Sequence, residues 1–171
     1  MKVETNGEGT LCFLIKNCEV LLARKTRNIG KGTLNGYGGG REDNESLEEC
    51  CAREVSGECG VRIKPEDLRK FGIVYFHNER SDGGFSVVKV YVFVATKWRG
   101  IPKESVEMAN PKWYPIWNLP FDKMLPADRY WLAPIFLRGK RIVARAYQNL
   151  SEKKLLRPVE IREVADFSED D

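Results

Sequence analysis

The chain has 171 residues, with 28 Lys and Arg against 25 Asp and Glu, for a formal net charge of +3. That length is one domain's worth and can bury a core without disulfides or a structural metal, and so small a net charge gives no sign of a nucleic-acid polymer as partner. The single histidine, His77, excludes any zinc site with two or more histidines and leaves one imidazole for a Ser-His or Cys-His nucleophile, so carboxylates and a hard metal are the better candidates for chemistry.

In chain order, residues 1–9 are polar and read as a frayed end or the start of an edge strand. The apolar, β-prone runs 11–15 and 20–22 flank Lys16-Asn17-Cys18-Glu19, which predicts a hairpin. Residues 25–41 carry Gly30, Gly32, Gly36, Gly38, Gly39 and Gly40 and predict a long loop with short strand pieces, whose backbone bends sharply or approaches something closely. A helix follows, capped by Asp43 or Asn44, running through 46–55 and closed by Gly60 in the left-handed conformation. Strands are expected at 71–76 and 86–95, the second alternating Val88, Val90, Val92 and Val94 with Lys89, Tyr91 and Phe93.

Residues 97–112 read as a polar loop, 127–137 as a helix opened by Pro126, and 141–147 with 155–162 as a further hairpin. The acidic end, 168–171, is expected to be disordered. Strands and helices mix without regular βαβ alternation, which predicts a single α+β or sandwich-like domain over 1–171. The five cysteines, Cys12, Cys18, Cys50, Cys51 and Cys59, are odd in number and contain no Cys-x-x-Cys. They are expected to be buried, reduced thiols of a cytoplasmic protein. No apolar run approaches the ~20 residues that a membrane helix needs.

Glu54 and Glu58 are four residues apart and leave a helix about 40° from each other, on one face. Next to a glycine loop, two such carboxylates can hold a hard divalent cation through oxygen. The same spacing is common on solvated helix faces, so spacing alone leaves both readings open.

The wider pattern is Gly39, five residues, Glu45, seven residues, then Arg53-Glu54-Val55-Ser56-Gly57-Glu58-Cys59-Gly60-Val61. It resembles the Nudix box, GX5EX7REUXEEXGU with U apolar, at Gly39, Glu45, Arg53, Glu54, Val55, Glu58, Gly60 and Val61. Gly57 departs from it, standing where the family has the first glutamate of its EE pair, a metal ligand. Leu34-Asn35-Gly36-Tyr37-Gly38-Gly39, the stretch 104–108 and the stretch 119–131 resemble the MutT-homologue subgroup, which hydrolyses oxidised purine nucleoside triphosphates such as 8-oxo-dGTP.

The resemblance implies an α/β/α sandwich, a mixed central sheet with the box helix on one side and the 127–137 helix on the other. It implies Mg²⁺, with Mn²⁺ as an alternative, at Glu54, Glu58, Glu107 and Gly39, and catalysis by Glu54, Glu58 and Glu107, with Glu54 or Glu107 as base. Asn35 and Asp128 would read the purine and Lys25 would lie near the substrate. Leu125 replaces a tryptophan that stacks on the base, Ile29 a pocket phenylalanine, and Ala127 the first of two aspartates. Glu45, Arg53 and Gly60 would brace the loop and helix.

The implied function is cleavage of a nucleoside triphosphate to monophosphate and pyrophosphate in nucleotide-pool sanitation, by a monomer whose partner is a small nucleotide rather than a nucleic acid polymer or a membrane. Because of Gly57, the alternatives are a metal-poor, weakly active or non-hydrolytic nucleotide-binding domain, or a hydrolase of another nucleoside diphosphate derivative.

Overall fold

The computed structural model of the protein describes residues 3–171. Asn17 and Cys18, both at positive φ (53° and 59°), close the hairpin of β1 (Gly7–Lys16) and β2 (Glu19–Lys25). Two consecutive positive φ values suit the twist of the strands they join. The glycine-rich stretch then supplies β3 (Leu34–Asn35), paired with β2 through Ala23 and Arg24. Its continuation crosses to β1, where Tyr37 exchanges backbone hydrogen bonds with Cys12 and the Gly39 carbonyl accepts from the Thr10 N–H.

Helix α1 (Leu47–Cys59) starts at Ser46 rather than at Asp43 or Asn44. Ser46 Oγ accepts from the Glu49 N–H and the Glu49 carboxylate accepts from the Ser46 N–H, at 3.1 and 2.7 Å. This reciprocal pair satisfies two otherwise orphaned donors, an advantage that neither Asp43 nor Asn44 has with its own neighbours. Gly60 ends the helix at φ 78°, as expected.

Strands β4 (Arg69–Glu79), β5 (Phe85–Ala95) and β6 (Met108–Pro115) precede helix α2 (Asp128–Arg138), and β7 (Arg141–Gln148) and β8 (Glu160–Val164) follow it. The sheet order is β3-β2-β1-β5-β4-β7-β8, with β6 on β2. Pairs β1–β5 and β4–β7 are parallel and the others antiparallel. Alternation assigns the faces. Cys12, Leu14, Tyr91 and Phe93 meet Cys51, Val55 and Cys59 of α1. Phe13, Val92 and Val74 meet Trp131, Leu132 and Ile135 of α2. The result is the α+β sandwich with one helix on each side of a mixed sheet.

The start of β1 and one loop differ from expectation. Gly7–Gly9 belong to β1, which lies inside the sheet against β5 rather than at an edge. Residues 108–112, read as loop, are strand because β2 offers them a free edge to pair with. At the acidic end, the Asp171 carboxylate accepts from the nearby Ser168 N–H and pairs with Arg162, and Lys89 Nζ donates to the Asp171 carbonyl at 2.6 Å. Four cysteines are buried, but Cys18 is exposed in the hairpin turn.

Candidate active site

Between the α2-facing side of the sheet, the 25–40 segment and α1 lies a cleft of about 510 Å³. Its α1 end is acidic. Glu58 is buried on the helix, and Glu58 Oε2 accepts from the Gly38 N–H at 2.9 Å. Burial pushes its carboxyl up to about 7. The charges of Glu54 and Glu107 push the same way, while the Gly38 hydrogen bond and the Lys25 charge oppose them.

Glu54 accepts from Arg53 Nη1 at 2.6 Å and lies directly over Gly39. A Cβ on Gly39 would stand 2.5 Å from the Glu54 carboxyl carbon, so a side chain there would displace that carboxylate. Arg53 also grips Glu45 with two nitrogens, at 3.0 and 2.7 Å, and the Gly40 carbonyl at 3.1 Å. That fork and the Glu42 N–H hold the Glu45 carboxyl down to about 2. Arg53 and Glu45 thus tie α1 to the glycine loop. Glu107 enters from the residue before β6 and pairs with Arg27.

Glu54, Glu58 and Glu107 share one cleft. Among the described residues, however, no three His, Cys, Asp or Glu side chains form a compact ligating group. Arg53, the Gly38 N–H and Arg27 each engage one of these carboxylates. The donor set still fits a hard cation, since it consists of oxygens whose mutual repulsion already raises Glu58. The Gly39 carbonyl spends one lone pair on the Thr10 N–H.

A Cβ on Gly38 would collide with the Thr10 carbonyl, so glycine here serves the close approach of the loop to β1.

The other end of the cleft has apolar walls and a few polar groups. Leu11, Phe76, Val88, Val90, Leu125 and Trp131 supply the walls. Asn35 reaches it from β3, its Oδ1 accepting from the Gly36 N–H at 2.8 Å. Asp128 opens α2 but does not act as a solvated helix charge, because its side chain is turned inward and is 1% exposed. Its Oδ1 accepts from the Trp131 indole at 3.1 Å, and Oδ2 has no partner among the described residues. Burial raises this carboxyl to about 7, so near neutrality it can present either a donor or an acceptor.

Lys25 and Ile29 also line the cleft, Ile29 at an exposed rim. His77 does not. It is buried against Tyr147, ring centroids 4.1 Å apart.

Phe76, Asn78, Val88 and Val90 were not singled out from sequence. The alternation of β5 was visible, but only its register with β4, Phe76 opposite Val88 and Val74 opposite Val90, decides which residues share the cleft's face. Arg27 had a weaker signal, being one cation among several in a glycine-rich loop.

A family model described as the NUDIX domain matches residues 5–135. The chain is 30% identical to the oxidized purine nucleoside triphosphate hydrolase of Mus musculus over 165 residues, 96% of this chain and 100% of that protein. It is 34% identical to the Danio rerio protein of the same description over 134 residues, 78% of this chain and 81% of that one. Among solved structures it resembles the MutT protein of Bacillus halodurans, with a TM-score of 0.77 and 20% identity over 91% of this chain and 97% of that one.

Proposed function

Because the chain belongs to the Nudix family of hydrolases, we propose that it cleaves an oxidised purine nucleoside triphosphate, 8-oxo-dGTP being the representative, to the monophosphate and pyrophosphate. The observation that carries this reading is a single cleft with an apolar chamber bearing Asn35 and Asp128 at one end and Glu54, Glu58 and Glu107 at the other. The relatives' activity toward oxidised purine nucleoside triphosphates supports it.

Nudix hydrolases use divalent cations. Here Glu54, Glu58, Glu107 and the Gly39 carbonyl would hold Mg²⁺, or Mn²⁺ in its stead. Bound there, such an ion acidifies water and offsets the charge that builds on the phosphates. The chain's own groups do the rest. Lys25 and Arg27 are the cations that line the cleft, and they meet the triphosphate. Arg27 is freed for this when Glu107 turns from it. Arg53 keeps the Glu54 carboxylate over Gly39. The attacking water's proton passes to Glu54 or Glu107, the new oxygen–phosphorus bond forms, and the α–β anhydride bond breaks to release pyrophosphate. Asp128 and Asn35 orient the base edge, and Leu125 packs on it without the stacking of an aromatic ring.

A second reading, a domain that binds the nucleotide without cleaving it, is favoured by the absence of a converged ligand group among the described residues. Pyrophosphate release measured with Mg²⁺ and with Mn²⁺ over oxidised and ordinary dNTPs separates the two. Turnover of an oxidised purine triphosphate is expected, and binding with no turnover of any nucleotide would leave only the second reading. Glu58→Gln keeps an acceptor for Gly38 but loses the charge. It should lower kcat by at least the roughly 10–100-fold that even an outer partner of a metal site is worth.

A further inference from the structure

Every second residue of β7 is buried, and the first three of that series, Ile142, Ala144 and Ala146, are apolar. The fourth is Gln148, fully buried. Gln148 Nε2 donates to Asn78 Oδ1 at 2.9 Å across the β4–β7 pair, where the two residues are in register. Its Oε1 has no partner among the described residues. An orphaned carbonyl in the interior is unfavourable, and an apolar side chain would continue the pattern without that penalty. Packing therefore does not account for the amide.

What the pair does achieve is orientation. Asn78 lines the cleft beside Phe76, on the same face of β4. With Asn78 Oδ1 occupied by Gln148, its Nδ2 is the group left to meet a ligand. Around it the walls are apolar, so each polar group there weighs heavily in choosing what binds.

We propose that Asn78, oriented by Gln148, is a specificity-determining residue whose Nδ2 donates a hydrogen bond to a carbonyl oxygen or ring nitrogen of the bound base. This rests on the cleft being a nucleotide site. Together Asn35, Asp128 and Asn78 give the chamber three polar groups from three different elements, β3, α2 and β4. A base without an acceptor facing Asn78 leaves a desolvated N–H unpaired and is disfavoured.

The test is kcat/KM for 8-oxo-dGTP, 2-hydroxy-dATP, dGTP and dATP in wild type, Asn78→Leu, Asn78→Asp and Gln148→Leu, with melting temperatures alongside. Asn78→Leu should lower kcat/KM for the preferred nucleotide about tenfold and for the others less, compressing the selectivity, with a lower melting temperature because the buried Gln148 Nε2 loses its acceptor. Asn78→Asp, which offers only acceptors when ionised, should lose at least as much. Gln148→Leu should lose less, in the same direction, at equal or greater stability. Selectivity ratios within twofold of wild type in both Asn78 variants would overturn the assignment. If wild type turns over none of the four, the hydrolase reading fails on its own. Calorimetric affinities for the matching nucleoside monophosphates then decide Asn78 by the same ratios.

Discussion

At position 57 a side chain has room. The Cβ of any residue there would meet nothing within 4 Å among the described residues, and the position is exposed on the helix that carries Glu54 and Glu58. Glycine inside a helix is unfavourable by roughly 0.5–1 kcal/mol relative to alanine, so packing does not explain its presence. Gly57→Glu is therefore expected to stabilise α1 slightly and, by adding a third carboxylate to the same face, to tighten Mg²⁺ binding and raise the rate. Titration calorimetry with Mg²⁺ and pyrophosphate release check it. An unchanged metal affinity would mean that the site has adapted to two helix carboxylates.

Between elements, the wall formed by residues 25–33 is tied to a segment far away in the chain. Glu152 Oε2 accepts from the Gly30 N–H at 2.7 Å, and Thr33 Oγ1 donates to the Gly30 carbonyl at 2.6 Å. Gly30 has φ 76°, and a Cβ there would lie 3.7 Å from Leu125 Cδ1, so this turn packs directly on the chamber wall. The strand that follows, β3, is only two residues long and cannot hold the loop by itself. Glu152→Ala should free the Gly30 amide for exchange, raise KM several-fold and leave kcat within about twofold, one hydrogen bond being worth about 1 kcal/mol. Glu152→Gln retains an acceptor and should restore both readouts. Unchanged exchange at Gly30 in the alanine variant would show that the loop is held by its packing alone.

Across the whole molecule, buried acids and the buried imidazole set opposing pH dependences of stability. An unfolded aspartate ionises near 3.8 and the folded Asp128 near 7. Between those values the folded state holds a proton that the unfolded state has released, so rising pH removes stability through that window and the full penalty applies above it. His77 works the other way. Burial and the charges of Arg145 and Arg157 lower its pKa below 6.5, so falling pH removes stability below that value. Comparing Asp128→Asn with wild type isolates the aspartate. Relative to wild type, the variant should gain roughly 2–4 kcal/mol in denaturant unfolding between pH 4 and pH 8, at about 1.4 kcal/mol per pKa unit. A constant difference across that range would mean that Asp128 is not the buried acid described here.

Short-range order was legible in the residues themselves. The 11–22 hairpin, the α1 helix with its Gly60 cap and the shared face of Glu54 and Glu58 all depend on neighbours within a few positions, where turn chemistry and helical period act directly. The spacing of Gly39, Glu45, Arg53 and Glu54 was equally visible, because Arg53 has to bridge the loop and the helix it sits on.

The chamber was decided elsewhere. Phe76, Val88, Val90 and Asn78 meet only through the β4–β5 and β4–β7 registers, and a slip of one residue would turn all of them to the opposite face. Glu152 reaches Gly30 across 122 positions, and the acidic end finds Arg162 and Lys89 on β8 and β5. No local pattern encodes such pairings, since each requires chain closure that only the assembled sheet supplies.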